Sequence, residues 1–451
     1  MNLQGGTSIS IADGEESATL EATTRTELHR LFLEDGRPWV VAFSGGKDST
    51  LVLQLVYAML LELGPRTHKP VFVVTTDTGV EAPNVSHHVC GVLDVVRNHA
   101  VSNRLPLEVH LVGPEPARSF WGKLIGQGYP SPTRWFRWCT SNMKIRPARA
   151  VIERITRTYG SVVLLLGTRI EESAERGKRI RARELTARGL NPHHEIPNAL
   201  VATPIVHWST DQVWDYLFTH NPPPWGGSHD FLLALYRKAS GGECPVVLDL
   251  STPSCGGSRF GCWTCTVVKE DKSLQGFIQS GEAWMEPLNA FRNRLKEVRE
   301  LPDWRSAFHK DGSPGPGPFL PEKRRLLLRE LLELERRVGQ PLISDAEIQY
   351  IQSAWRTEFD LKDEALQIAA EYGRTIGAME TLQLPSAEQQ LLDRLVAERG
   401  ISPDLVERLL RLVLTEYPDL RVWGAKAALQ REIEAAIGAS LSQEDAAGVE
   451  S

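Results

Sequence analysis

Short apolar runs alternate with longer stretches of helical spacing along the first half of the chain. PWVVAF (38–43), PVFVVTTDTG (70–79) and SVVLLLGTR (161–169) are of strand length and apolar almost throughout, as strands covered on both faces are. LEVHLV (107–112) alternates like a strand with one wet face, and ALVATPIV (199–206) is a further strand candidate. Between them, residues 21–34, 48–62, 83–102 and 141–158 carry helical spacing; in the second, Leu51, Leu53, Leu55, Val56 and Met59 feed one broad apolar face. Ser209 is the expected N-cap of TDQVWDYLF. Strands and helices alternating at this length predict an α/β fold, a doubly wound parallel sheet whose ligands gather at the carboxyl ends of the strands.

The pattern changes after about residue 285. DGSPGPGP (311–318) is a loop, and the chain beyond it is helical. In ISDAEI, Ser344 is placed as N-cap, Glu347 at the third helical position, and Ile343 with Ile348 as a hydrophobic staple. Ser402 and Pro403 open another amphipathic helix. The expected organisation is a mobile N-terminus (1–20), a nucleotide domain (21–240), a four-cysteine segment (241–285), a helical region (286–437) and a flexible tail (438–451).

Composition adds little until it is read locally. Hydrophobic residues are 41% and charged residues 24%, as in soluble globular proteins. No apolar run reaches the roughly 20 residues that span a bilayer, and the acidic first thirty residues do not resemble a secretion signal, so a cytoplasmic location and no membrane partner are expected. The net charge is −6, yet residues 101–200 hold 17 Lys plus Arg against 8 Asp plus Glu, a surface suited to a polyanion. Within it, RWFRW (134–138) interleaves arginine with rings that suit unpaired bases, although at least two of the three rings are expected in the core.

The chemistry begins at SGGKDS (44–49), between a strand and a helix. It lacks the spacing of the common phosphate loop, G-x-x-x-x-G-K-[ST]. Gly45 and Gly46 let backbone amides approach an oxyanion, Ser44 and Ser49 offer hydroxyls, and the helix N-terminus points at the same spot. Six cysteines are present; Cys244, Cys255, Cys262 and Cys265 give C-x10-C-x6-C-x2-C, a metal-binding pattern whose spacing does not separate zinc from an iron–sulfur cluster. Cys90 falls in an apolar helical pattern and is expected in the core, while Cys139 stands apart between Arg137 and Lys144, which should favour its thiolate.

SGGKDS resembles the PP-loop of ATP pyrophosphatases (adenine-nucleotide alpha hydrolase-like), which split ATP between its α- and β-phosphates. DTGVEAP (77–83) and GTRIEES (167–173) resemble stretches of the phosphoadenosine-phosphosulfate reductase branch of that group. Together with RWCTSNMKIRP (137–147), TPIVHWSTDQVWDYL (203–217), the four cysteines and GPGPF, they resemble the DndC-type sulfurtransferases of bacterial DNA phosphorothioation. The resemblance implies that Ser44, Gly45, Gly46, Lys47, Asp48 and Ser49 hold ATP phosphates with Mg2+, and that Asp77, Gly167, Arg169 and Glu172 line the nucleotide. Arg169, Arg176, Lys178 and Arg179 are candidate phosphate clamps. It further implies catalytic parts for Lys47, Asp48 and Cys139, and a [4Fe-4S] cluster on Cys244, Cys255, Cys262 and Cys265. DNA, a cysteine desulfurase and other phosphorothioation proteins are the implied partners. Three alternatives remain open at this stage: an adenylyl-sulfate or phosphoadenosine-phosphosulfate reductase, a PP-loop tRNA thiolase, and a non-catalytic iron–sulfur assembly subunit. No cysteine follows Cys265, which disfavours the reductase.

Overall fold

The computed structural model describes residues 11–172, 189–239, 261–310, 312–360, 362–377 and 394. Two compact units divide the chain: Met1–Pro114 with Pro132–Asn293, and Glu115–Ser131 with Arg294–Ser451. The helical region thus takes in residues 115–131, which the sequence pattern assigns to the nucleotide domain, and the four-cysteine segment belongs to the first unit.

In the first unit the order is α1 (Ile11–Glu34), β1 (Trp39–Ala42), α2 (Lys47–Leu63), β2 (Val71–Thr76), α3 (Pro83–Ser102), β3 (Leu107–Val112), α4 (Arg146–Tyr159), β4 (Val162–Leu165), β5 (Asn191–Pro192), β6 (Ala199–Ala202), α5 (Thr210–Thr219), α6 (Asp230–Ala239), α7 (Lys272–Gln279) and the start of α8 (Glu286–Val298). The sheet runs β3-β2-β1-β4-β6-β5. Only β5 is antiparallel, pairing Asn191 with Val201. Register is fixed by Trp39 opposite Val71 on one side and Val163 on the other.

Both faces of the sheet are covered, which is why β1, β2 and β4 are nearly unbroken apolar runs. On one face Val40, Phe72, Val74, Val162 and Leu164 pack against Val151, Ile152 and Ile155 of α4. On the other, Phe32 of α1 meets Trp39 edge-on at 5.1 Å. α3 buries Val85, Val89, Leu93, Val96 and Ala100, a stripe at helical spacing. α1 begins at Ile11, ten residues before the expected start; the added stretch IADGEESATL has too few apolar residues to register as a periodic stripe. At α5 the Ser209 cap is found with a reciprocal partner: Gln212 N donates to Ser209 Oγ at 3.1 Å and Ser209 N to Gln212 Oε1 at 2.8 Å.

The second unit holds α9 (Pro321–Val338), α10 (Asp345–Glu358) and α11 (Glu364–Glu371). Ser344 and Glu347 form the expected capping box, and Ile343 and Ile348 are both buried. Arg324, 1% exposed, is neutralised by Glu358 at 2.6 and 2.7 Å. The helix expected from Ser402 and Pro403 lies outside the described residues.

Two histidines of the first unit set a pH dependence. His229 donates from Nε2 to Gln54 Oε1 at 2.7 Å, and Gln54 Nε2 donates to His220 O at 2.8 Å. Burial holds His229 and His88 neutral, each at about 4. Unfolded histidine takes up a proton below about 6.5, so the stability these residues confer is complete above that pH and lost as pH falls toward 4. For His229 the loss is on the order of 3 kcal/mol. Urea titrations from pH 7.5 to 4.5 are expected to show the unfolding midpoint falling in that window, with a shallower slope in His229→Gln; identical slopes would refute the assignment.

Candidate active site

β1 ends at Ala42, and the chain turns through Phe43–Gly46 into α2. Gly45 adopts φ +73°, and a β-carbon there would stand 2.3 Å from Val89 Cγ2 on α3. Gly46 is the N-cap of α2 and has no side chain with which to cap it. The turn is stitched to the helix it opens. Ser44 N donates to Ser49 Oγ at 3.2 Å, and Ser49 Oγ donates to Gly46 O at 2.9 Å. Lys47 N donates to the Tyr236 hydroxyl of α6 at 3.3 Å.

The loop leaving β4 presses on the same helix start. A β-carbon at Gly167 would lie 2.9 Å from the carbonyl of Asp48, so only glycine allows this approach. β1 and β4 are neighbours from which the strand order departs in opposite directions, the crevice where doubly wound sheets bind ligands. Arg169, 1% exposed, spends its nitrogens on protein. Its Nε donates to Asp48 Oδ1 at 2.7 Å, one terminal nitrogen to Trp208 O at 3.1 Å, and the other to Thr210 Oγ1 at 3.1 Å. Asp48 Oδ2 accepts from Lys47 Nζ at 3.1 Å. Asp48 is therefore a bridge between two cations. Arg169, expected as a phosphate clamp, is bonded as a residue that positions α2.

At the end of β2, Asp77 N donates to Val112 O and Gly79 N donates to Asp77 Oδ1, both at 2.8 Å, an Asx turn. Thr78 N donates to Glu81 Oε2 at 3.0 Å. Burial, with the Asp77 carboxyl adding to it, pushes Glu81 up to about 7. The Cys262–Cys265 turn docks on this loop. Glu81 and Cys262 form an antiparallel bridge, Trp263 N donates to Val80 O at 2.9 Å, and Thr78 Oγ1 lies 3.4 Å from Cys262 Sγ. Behind it, buried Arg292 donates to Cys265 O at 2.8 Å.

These loops enclose a cavity of about 900 Å³ whose wall includes Ser44, Gly46, Lys47, Asp48, Ser49, Asp77, Gly167 and Arg169. Cys90 is on that wall and not in the core as expected; α3 turns it toward the loop of Asp77, whose charge, after burial, helps push its thiol up. Cys139 precedes a π-helical turn, Thr140–Ile145. Burial raises its pKa, and Cys265 adds to the rise. The expected lowering by Arg137 and Lys144 is not found: burial outweighs the favourable bonds to Thr140. Glu172 ends the helical turn Ile170–Glu172. Cys244, Cys255, Ser173, Arg176, Lys178 and Arg179 lie outside the described residues.

Residues 38–268 match the family model of the phosphoadenosine phosphosulfate reductase domain. The chain belongs to that family, within the PP-loop ATP pyrophosphatase superfamily. Its reductase-family domain thus runs from β1 to just past Cys265. An uncharacterized protein of Methanocaldococcus jannaschii is 33% identical over 262 residues, 57% of this chain and 43% of that protein. A second from the same organism is 28% identical over 180 residues, 40% of this chain and 36% of that one. The chain thus spans less than half the length of these curated relatives. Among solved structures, Candida glabrata FMN adenylyltransferase with FMN and an ATP analogue is 14% identical, with a TM-score of 0.30, covering 54% of this chain and 66% of that one. The U34-tRNA thiolase NcsA of Methanococcus maripaludis with its [4Fe-4S] cluster is 11% identical, with a TM-score of 0.29, covering 62% and 80%. Likeness that loose bears no functional weight.

Three contributions to the cavity wall escaped the sequence. Glu81 sits inside the quoted DTGVEAP, and the cue was an acid four residues after Asp77 on a turn. Tyr236 comes from a helix about 190 residues after Lys47, with no local signal. His193 and His194, stacked at 5.0 Å, also line the cavity; a polar dipeptide between short strands gives no sign of facing a site.

Proposed function

We propose that this chain is an ATP-dependent sulfurtransferase that places sulfur in a DNA backbone phosphate. A non-bridging phosphate oxygen of DNA attacks the α-phosphorus of ATP, forming a P–O–P link to AMP and releasing pyrophosphate. A thiol then frees sulfide-level sulfur from the desulfurase's persulfide, itself ending as a disulfide, and that sulfur attacks the DNA phosphorus and expels AMP, which carries the oxygen away. What supports this most is one juxtaposition: a cysteine turn bonded to the rim of a cavity that also holds a helix start whose N-cap is glycine.

In that reading Ser44, Gly45, Gly46 and Ser49 hold the departing pyrophosphate through amides and hydroxyls. Lys47 neutralises charge as the bond breaks, Asp48 and Arg169 aim Lys47 and the helix, and Cys139 would carry the sulfur. Mg2+ enters with the triphosphate and needs only one or two carboxylates; Asp77, on the cavity wall, would be one.

Cys262 and Cys265 share one turn, in which Cys265 N donates to Cys262 O at 3.0 Å. Burial pushes the Cys262 thiol up to about 12, so it would ionise readily only against a cation. Among the described residues no three His, Cys, Asp or Glu side chains gather to hold a metal ion, so Cys262 and Cys265 would be completed by Cys244 and Cys255. A [4Fe-4S] cluster there would supply electron transfer or structural support. No helix among the described residues is long and apolar enough to cross a membrane.

The test is reconstitution with ATP, labelled sulfur, a desulfurase and DNA, with tRNA and phosphoadenosine phosphosulfate as parallel acceptors. The expected result is sulfur in DNA, with pyrophosphate and AMP formed in equal amount. Sulfur only in tRNA, sulfite from phosphoadenosine phosphosulfate, or no pyrophosphate with any acceptor would each overturn the proposal.

A further inference from the structure

Trp135 is 92% exposed and Phe136 44%, whereas Trp138 is buried at 7%. The expectation that two of these three rings pack in the core is thus reversed. A tryptophan so open is unusual on an ordered surface, and this one stands on a braced turn. Trp135 N and Phe136 N both donate to Thr133 Oγ1, at 3.3 and 3.0 Å, and Thr133 N donates to Phe136 O at 3.2 Å. On one side Thr266 Oγ1 donates to Pro132 O at 2.7 Å. On the other, Trp138 and Met143 are buried. The exposure is therefore built in.

The flanking charge has one sign. Arg134 and Arg137 are exposed, and among the described residues no carboxylate is paired with either. Arg146, Arg154 and Arg157 continue the exposed positive series along the chain. Lys144 and Ile145, a few residues past the turn, line the cavity. A ring between two guanidinium groups meets the two needs of an unpaired strand, a stacking face for a base and cations for the phosphates on either side. A closed duplex offers no base face to such a ring.

We infer that the Thr133–Arg137 turn is a strand-docking platform: Trp135 stacks on an unpaired base of the acceptor DNA, and Arg134 and Arg137 hold the adjoining phosphates, so that the acceptor is bound as a single or locally opened strand. The identity of the strand as DNA rests on the function proposed above; the stacking does not.

Fluorescence anisotropy of the full chain with a labelled thymidine oligonucleotide tests it, against a duplex, an abasic strand and a uridine strand of the same length. Trp135→Ala is expected to weaken thymidine-strand binding by about 5- to 150-fold, with Trp135→Phe retaining most of it and no change on the abasic strand. The thermal midpoint should not move, because the ring buries almost nothing. Replacing Arg134 and Arg137 together by alanine should weaken thymidine and abasic strands alike and flatten the salt dependence. Wild-type affinity in Trp135→Ala, an equal loss on the abasic strand, or tighter binding of the duplex than of the single strand would overturn the platform. Preference for the uridine strand would overturn its assignment to DNA. The assay contains neither ATP nor a sulfur donor. A chain that stacks the strand yet puts no sulfur into DNA therefore fails the sulfurtransferase proposal alone, and one that thiolates DNA without regard to Trp135 fails this one alone.

Discussion

Gly45→Ala is expected to abolish ATP binding, raising the dissociation constant at least about a hundredfold, the scale of losing a preorganised set of anion donors. Two independent obstacles act at this position. The left-handed φ of +73° suits glycine, and the new β-carbon would sit 2.3 Å from Val89 Cγ2. Val89 is buried and β-branched, so it has little freedom to swing aside. The loop must then back away from α3, and the amides that face the cavity move with it. Calorimetric titration with a non-hydrolysable ATP analogue measures the effect. Adding Val89→Ala restores the space but not the backbone preference, so the double variant should regain part of the affinity. Wild-type binding in Gly45→Ala would refute the cradle; full recovery in the double variant would show that the clash alone mattered.

The second large effect concerns stability. Asp48→Ala leaves the Arg169 guanidinium, 1% exposed, without its carboxylate at 2.7 Å. Removing one partner of a buried pair costs about 3–5 kcal/mol, equivalent to a fall in melting temperature of roughly 10 °C for a unit of this size. Asp48→Asn keeps an acceptor for Arg169 Nε and should lose less. Arg169→Met takes away the cation that needed company, so combining it with Asp48→Ala should restore part of the loss, a coupling that a double-mutant cycle reads directly. If Asp48→Ala melts with the wild type, the bridge between the two cations has no structural weight.

Much of this was legible in the sequence, and the reasons are physical. β1, β2 and β4 announce themselves because a strand covered on both faces can use only apolar residues. The glycine turn between β1 and α2 is legible because paired glycines there mark a close backbone approach. The Ser209 and Ser344 caps are local devices, complete within four residues. What failed was relational. Nothing near Arg169 says that Trp208 and Thr210 will claim its nitrogens. β5 is two residues long and recruited by β6. Cys90 lies in the apolar pattern of α3 beside Val89, yet both line the cavity wall, and an apolar pattern does not tell a packed face from a cavity face. RWFRW misled because an aromatic ring carries no mark of whether it will be covered.

α2 has one more consequence. Of its 17 residues, 13 are buried, including Lys47, Ser49 and Thr50 in the first turn. Amides in so enclosed a helix reach solvent mainly when the whole unit opens. If the proposed triphosphate site lies at this helix start, the receptor is formed before the ligand arrives, and binding energy would not be consumed in ordering the chain.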